Sequence, residues 1–161
     1  MGPFVTFVFE NRETIRFQIQ EMARVEKIIS DEGIEAELRA YNPLIPEPGN
    51  VSTTMFIELT TEAELREWLP KLVGVEREVE LRVGPEGEPI RCTPDPDHDK
   101  QLTRDEITAS VHYVGFAFTP AQIDAFAEGP VVLAVTHPAY EHAIELSADT
   151  CAELLGDLRG E

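Results

Sequence analysis

Two cysteines in 161 residues, at positions 92 and 151, are too few and too far apart for a disulfide framework or a zinc ribbon. Long apolar runs are also missing. Nothing approaches the roughly 20 consecutive apolar residues that span a bilayer, and the N-terminus lacks the basic, apolar, small-residue order of a signal peptide. Basic residues are scarce, 13 Lys and Arg against 31 Asp and Glu, for a formal net charge of -18. A field of that sign repels phosphate backbones and anionic headgroups, which argues against nucleic acids and membrane surfaces as partners. There is no Gly-x-Ser-x-Gly elbow, no His-Glu-x-x-His, no Gly-x-Gly-x-x-Gly and no phosphate-loop Lys-Ser/Thr ending. What remains is a cytoplasmic chain, 42% hydrophobic and long enough for one well-buried core, read as a single domain over residues 1–161.

What is present begins with Phe4 to Arg24. The apolar stretch Phe4–Phe9 reads as a strand, and Glu10-Asn11-Arg12-Glu13 as a turn that favours Asn. In Thr14–Gln20 the side chains alternate, so a second strand is expected, with Ile15, Phe17 and Ile19 on one face and Arg16, Gln18 and Gln20 on the other. The second face, with Glu10, Asn11 and Arg12 beside it, is rich in forked hydrogen-bonding groups. It fits a small anion or a partner surface, and it equally fits a wet sheet face with surface ion pairs.

Further on, Met22, Val25, Ile28 and Ile29 recur at helical spacing, and a second helical stripe, Ile34, Leu38 and Tyr41, follows Ser30-Asp31. Pro43, Pro46 and Pro48 enforce an extended connection whose apolar Leu44-Ile45 is expected to pack down. Ser52–Leu59 reads as a strand. It feeds a helix that starts at Thr61, with Glu64 completing a capping box and Leu65, Trp68, Leu69 and Leu72 as its buried stripe. Glu78–Val83 alternates as a half-exposed strand. The same grammar recurs with strand Val111–Phe118, a cap at Thr119-Pro120, a helix ended by Gly129, strand Val131–Val135, and Ala143–Leu146 leading into a helix from Ser147.

Between these halves, Gly84–Leu102 is a loop rich in Pro, Gly and Asp, a possible subdivision of the domain. Asp95, Asp97, His98 and Asp99 invite a metal reading. Two prolines interrupt the fixed frame of a calcium loop, so an acidic loop is the expectation. His112 falls within a strand, and His137 and His142 bracket the turn Pro138-Ala139-Tyr140-Glu141. With one carboxylate, His112, His137 and His142 make up the candidate ligand set for zinc or iron.

The blocks Phe7-Val-Phe-Glu-Asn-Arg-Glu-Thr-Ile-Arg-Phe-Gln-Ile-Gln-Glu-Met, Tyr41-Asn-Pro-Leu-Ile-Pro, Met55-Phe-Ile-Glu, Ser110-Val-His-Tyr and His137-Pro-Ala-Tyr resemble, in order, the bacterial domain-of-unknown-function family 3501. The resemblance implies no particular reaction. It does imply companionship with rubrerythrin-like and iron-sulfur oxidoreductase-type proteins, and hence redox or oxidative-stress physiology. It also implies a basic helical segment before the first block, without which this chain begins at Met1-Gly2-Pro3. The candidate ligand- or partner-binding residues carried by these blocks are Glu10, Asn11, Arg12, Glu13, Arg16, Gln18, Gln20, Glu21, Asn42, Tyr113 and Tyr140, with His112 and His137 again as polar candidates.

The expected fold is a single α+β domain: a mostly antiparallel twisted sheet, helices largely on one face, and one or two parallel neighbours supplied by βαβ-like units. Two functions follow. The first is a non-enzymatic accessory or ligand-binding protein of a redox system, with no tightly bound cofactor. The second is a small metal-dependent enzyme built on the histidines. The first leads, because no nucleophile and no ligand set of workable spacing is visible. Association as a symmetric dimer or with a redox partner is expected through a sheet edge or through Leu44-Ile45.

Overall fold

Asn11 decides the first turn of the structure. In the computed structural model of the chain, which describes residues 1–96 and 107–161, strand β1 (Val5–Glu10) ends at Asn11, and helix α1 (Arg12–Val25) begins there. Asn11 Oδ1 accepts from the Thr14 N–H at 2.9 Å and Thr14 Oγ1 accepts from the Asn11 N–H at 2.8 Å, a reciprocal cap that satisfies two orphan donors. Thr14–Gln20 is therefore helix, not the second strand of a hairpin. The alternation was ambiguous: Ile15 and Ile19 are also an i,i+4 pair on one helix face. The two are buried, while Phe17 is 62% exposed. Successive even positions of a helix lie 200° apart, so Arg16, Gln18 and Gln20 do not form one face.

Helix α2 (Asp31–Tyr41) starts at Ser30, whose hydroxyl accepts from the Gly33 N–H, and passes into a 3-10 turn, Asn42–Leu44. The proline loop packs down as its apolar residues require, and Leu44 is buried with Ile15 and Ile19. Then come β2 (Asn50–Ile57), α3 (Glu62–Lys71), β3 (Val79–Val83), β4 (Glu88–Arg91), β5 (Thr93–Pro94), β6 (Val111–Ala117), α4 (Pro120–Glu128), β7 (Val131–His137), β8 (Tyr140–Glu145) and α5 (Ala148–Arg159). The cap expected at Thr61 forms with its reciprocal half shifted by one residue, since Glu64 accepts from the Thr60 N–H. At Thr119 and Gln122 the box is complete.

The strands form two antiparallel four-stranded sheets, ordered β1-β2-β6-β5 and β4-β3-β7-β8. Every strand pair among the described residues is antiparallel, so the expected parallel neighbours are not formed. The reason is topological. Helices α3 and α4 each link a strand of the first sheet to one of the second, and α1 and α2, which join β1 to β2 within the first sheet, return the chain antiparallel to β1. Part of the expected loop Gly84–Leu102 is strand instead: residues 88–95 leave β3 and reach β6, with Cys92 N–H donating to Val79 O and Asp95 N–H to Tyr113 O. Asp97, His98 and Asp99 lie outside the described residues.

One core lies between the sheets. Val51, Met55, Val114 and Phe116 from the first sheet meet Leu81, Val83, Leu133 and Val135 from the second, and Leu72, Phe126, Leu154 and Leu158 add helical side chains. Glu78–Val83 is more enclosed than expected, because Glu80 is itself buried beside the Arg82 and Arg91 guanidinium groups. Helices α1 and α2 belong to a smaller cluster on the opposite face of the first sheet, around Ile15, Ile19, Leu44 and Tyr113. That second layer is what shapes the site.

Candidate functional site, a cleft on the outer face of the first sheet

The register of β2 with β6 builds a floor. Thr54 pairs with Tyr113, Ser52 with Gly115 and Asn50 with Ala117, all facing away from the core. On one side stands the proline loop with Pro43, Leu44, Ile45 and Pro46, and on the other the segment Thr93, Pro94, Asp95 and Pro96. Between them is an open cleft of about 470 Å³, with Asn42 and Tyr113 also on its wall. That volume suits a small ligand or a short stretch of chain.

Gly115 gives the cleft its depth. Its φ lies outside the left-handed region, and a Cβ there would come no closer than 3.6 Å to Val51 O and 4.0 Å to Thr93 O, ordinary contact distances. Neither strain nor crowding requires glycine in mid-strand, where it costs roughly 0.5–1 kcal/mol against alanine. A strand glycine without a structural cause marks a place where something else approaches the backbone.

Behind the Tyr113 end lies a polar group of residues. Thr54 Oγ1 donates to Glu10 Oε1 at 2.8 Å, and Thr14 Oγ1 donates to Glu10 Oε2, which ties β1, β2 and the first turn of α1 together. Burial, then the neighbouring Tyr41 to which it is hydrogen-bonded, and then Glu10 push the Tyr113 hydroxyl up to about 12. At neutral pH it is a hydrogen-bonding phenol, not a base. The cleft is lined by Glu47 and Asp95 and by no Lys or Arg among the described residues.

The expected site residues are thereby sorted. Asn42 and Tyr113 share the cleft, and Glu10 stands beside Tyr113. Asn11 is engaged in capping. Arg12, Glu13, Arg16 and Gln20 are exposed on α1 and Gln18 is half-buried, and none of them lines the cleft. Glu21 pairs with Arg24 at 2.8 Å, a hydrogen bond that lowers its carboxyl pKa. Tyr140, on the other sheet, is buried. Its hydroxyl donates to Met1 O at 2.6 Å and accepts from the Phe4 and Val5 N–H groups, so it anchors the N-terminal residues.

The histidines do not converge on a metal centre among the described residues. His137 has both ring nitrogens engaged by backbone: Nε2 donates to Val73 O at 3.0 Å and Nδ1 accepts from the Ala139 N–H at 3.1 Å. His112 is buried, its Nε2 facing Thr108 Oγ1 and Ala109 O. His142 packs against Tyr140 with the rings tilted and their centroids 4.5 Å apart. No group of three or more His, Cys, Asp or Glu among the described residues is placed to hold a metal ion. Burial raises both thiols, Cys92 to about 11, and the Cys92 thiol donates to Glu76 O at 3.1 Å. The residues missed from sequence are Ser52, Thr93 and Gly115. Only Gly115, a glycine inside a strand pattern, carried a readable signal.

Fold and site together define a small acidic α+β protein with an open, proline-walled cleft on the outer face of an antiparallel sheet. The chain belongs to the family described as protein of unknown function DUF3501, whose model matches residues 1–158. It is 39% identical to a novel protein of unknown function from Burkholderia pseudomallei K96243, with a TM-score of 0.87 over 98% of this chain and 81% of that one. No functionally curated protein matches it.

Proposed function

We propose that the protein is a non-enzymatic binding protein whose cleft takes a small hydrogen-bonding ligand, neutral or positively charged. The observation that carries this reading is the floor: a strand glycine with no structural cause beneath an open volume of about 470 Å³. The ligand's charge follows from the lining, which carries the carboxylate of Glu47 and no Lys or Arg among the described residues. An anion, expected on a face of Arg16, Gln18 and Gln20, meets no Lys or Arg among the described residues that line this cleft. Binding is favoured over catalysis because the half-buried Tyr113 phenol stays protonated at neutral pH and so cannot act as a base.

The test is a titration followed by backbone amide shifts, with n-butylammonium as probe and butyrate as control. Shifts at Ser52, Gly115 and Ala117 with the ammonium alone support the reading. No shift there, or equal response to the carboxylate, refutes it. The family resemblance supports a bacterial redox or oxidative-stress setting, and calorimetric titration with a rubrerythrin-like or iron-sulfur partner tests that part.

A further inference from the structure

Strand β8 is the last strand of the second sheet, and its residues 141–145 are all exposed. Its pairing determines which backbone groups stay open. The Leu146 N–H donates to Val131 O at 2.8 Å, one step beyond the Val132–Glu145 pair. In an antiparallel ladder the direction of these groups alternates residue by residue. The N–H and C=O of Glu141, Ala143 and Glu145 therefore point away from β7, and no backbone group among the described residues pairs with them. The side chains of these three residues also share a face. On that face a shallow cavity of about 380 Å³ is lined by Ala134 and Ala143, which are partners in the register, and by Arg82, Thr136 and Glu141.

We propose that this edge docks an extended segment of a partner protein, added as a fifth strand to the second sheet and carrying Lys or Arg at alternate positions. Backbone groups supply the pairing, and charge selects the occupant. A residue opposite Ala143 sits between the carboxylates of Glu141 and Glu145, and a long cationic side chain there lays its methylene stem over Ala134 and Ala143. Arg82 and Arg91, cations on this face, are already engaged by Glu80, at 2.8 and 3.5 Å. A second copy of the chain fits badly. Two β8 strands paired about Ala143 set Glu141 opposite Glu145 twice, and each copy brings a formal charge of -18. The edge is distinct from the cleft, which lies on the first sheet.

The probe is the peptide acetyl-Thr-Lys-Val-Lys-Val-Lys-Thr-amide, with its three lysines on one face, and the control has Glu for Lys. At about 1 mM peptide, amide exchange at Glu141, Ala143 and Glu145 is expected to slow about tenfold with the lysine peptide and not with the control. The double variant Glu141→Lys, Glu145→Lys reverses the preference, an outcome that loss of folding cannot mimic. Unprotected amides, equal protection by both peptides, or an unchanged preference in the double variant overturns the proposal. So does protection that grows with protein concentration in the absence of peptide, which would make the occupant a second copy.

Discussion

Replacing Gly115 with Ala is expected to make this protein more stable and worse at binding. The φ of Gly115 is open to any residue, and the nearest atoms to an added Cβ are backbone oxygens at 3.6 and 4.0 Å, so the methyl enters without strain. Alanine also restricts the unfolded chain, and at a compatible site that change contributes about 0.4–1 kcal/mol. For a domain of this size the gain raises Tm by about 1–4 °C. The same methyl stands on the floor of the cleft, between Ser52 and the Thr93–Pro94 wall, where it shortens the depth available to a ligand. Gly115→Leu fills more of it and is expected to abolish the n-butylammonium response. Two measurements decide: a thermal or denaturant unfolding curve, and the amide-shift titration repeated on each variant. A destabilised Gly115→Ala protein would show that the glycine is there for the fold. A stabilised Gly115→Leu protein that still binds the probe would show that the cleft is not the site.

Asn11→Ala removes the reciprocal cap of α1 and is expected to lower stability by about 0.5–2 kcal/mol in denaturant unfolding; no change would mean that the cap does not hold the helix. In an alkaline absorbance titration a step near pH 12 is expected from Tyr113, and Tyr113→Phe removes that step. Because its folded pKa is raised, its contribution to stability is whole below about pH 10 and is lost as pH climbs toward about 12, so a variant equally sensitive to alkali would contradict the burial. Leu44→Ala is expected to cost about 2–5 kcal/mol in denaturant unfolding, because Leu44 is buried with Ile15 and Ile19 of α1, and a smaller loss would show that this cluster does not hold the loop. Arg16→Ala, at an exposed position, is expected to change stability by less than about 0.5 kcal/mol, and a larger loss would show a contact that its exposure does not suggest.

Local signals were legible where a residue acts on its own neighbours. Ser30, Thr61, Thr119 with Pro120, and Ser147 each cap the helix that follows, and the prolines of residues 43–48 stop α2 as their missing N–H groups require. The packing of Leu44-Ile45 was legible too, since an apolar pair in a stiff loop has one place to go. Thr14–Gln20 was misread because Ile15 and Ile19 satisfy a strand period and a helix period at once, and the tie is broken by a cap formed between Asn11 and Thr14. By itself, then, the sequence determined where most helices start, the inward stripes of the later helices, the α+β class and the family; Val25 and Ile29, read as one helical stripe, are exposed because α1 ends at Val25. Tertiary structure decided the rest through pairing between distant residues. It split the strands into two sheets, brought Thr54 to Glu10 across 44 positions and set Ser52 beside Gly115 as a floor. Register across a sheet depends on the other strand, and no single segment carries that information.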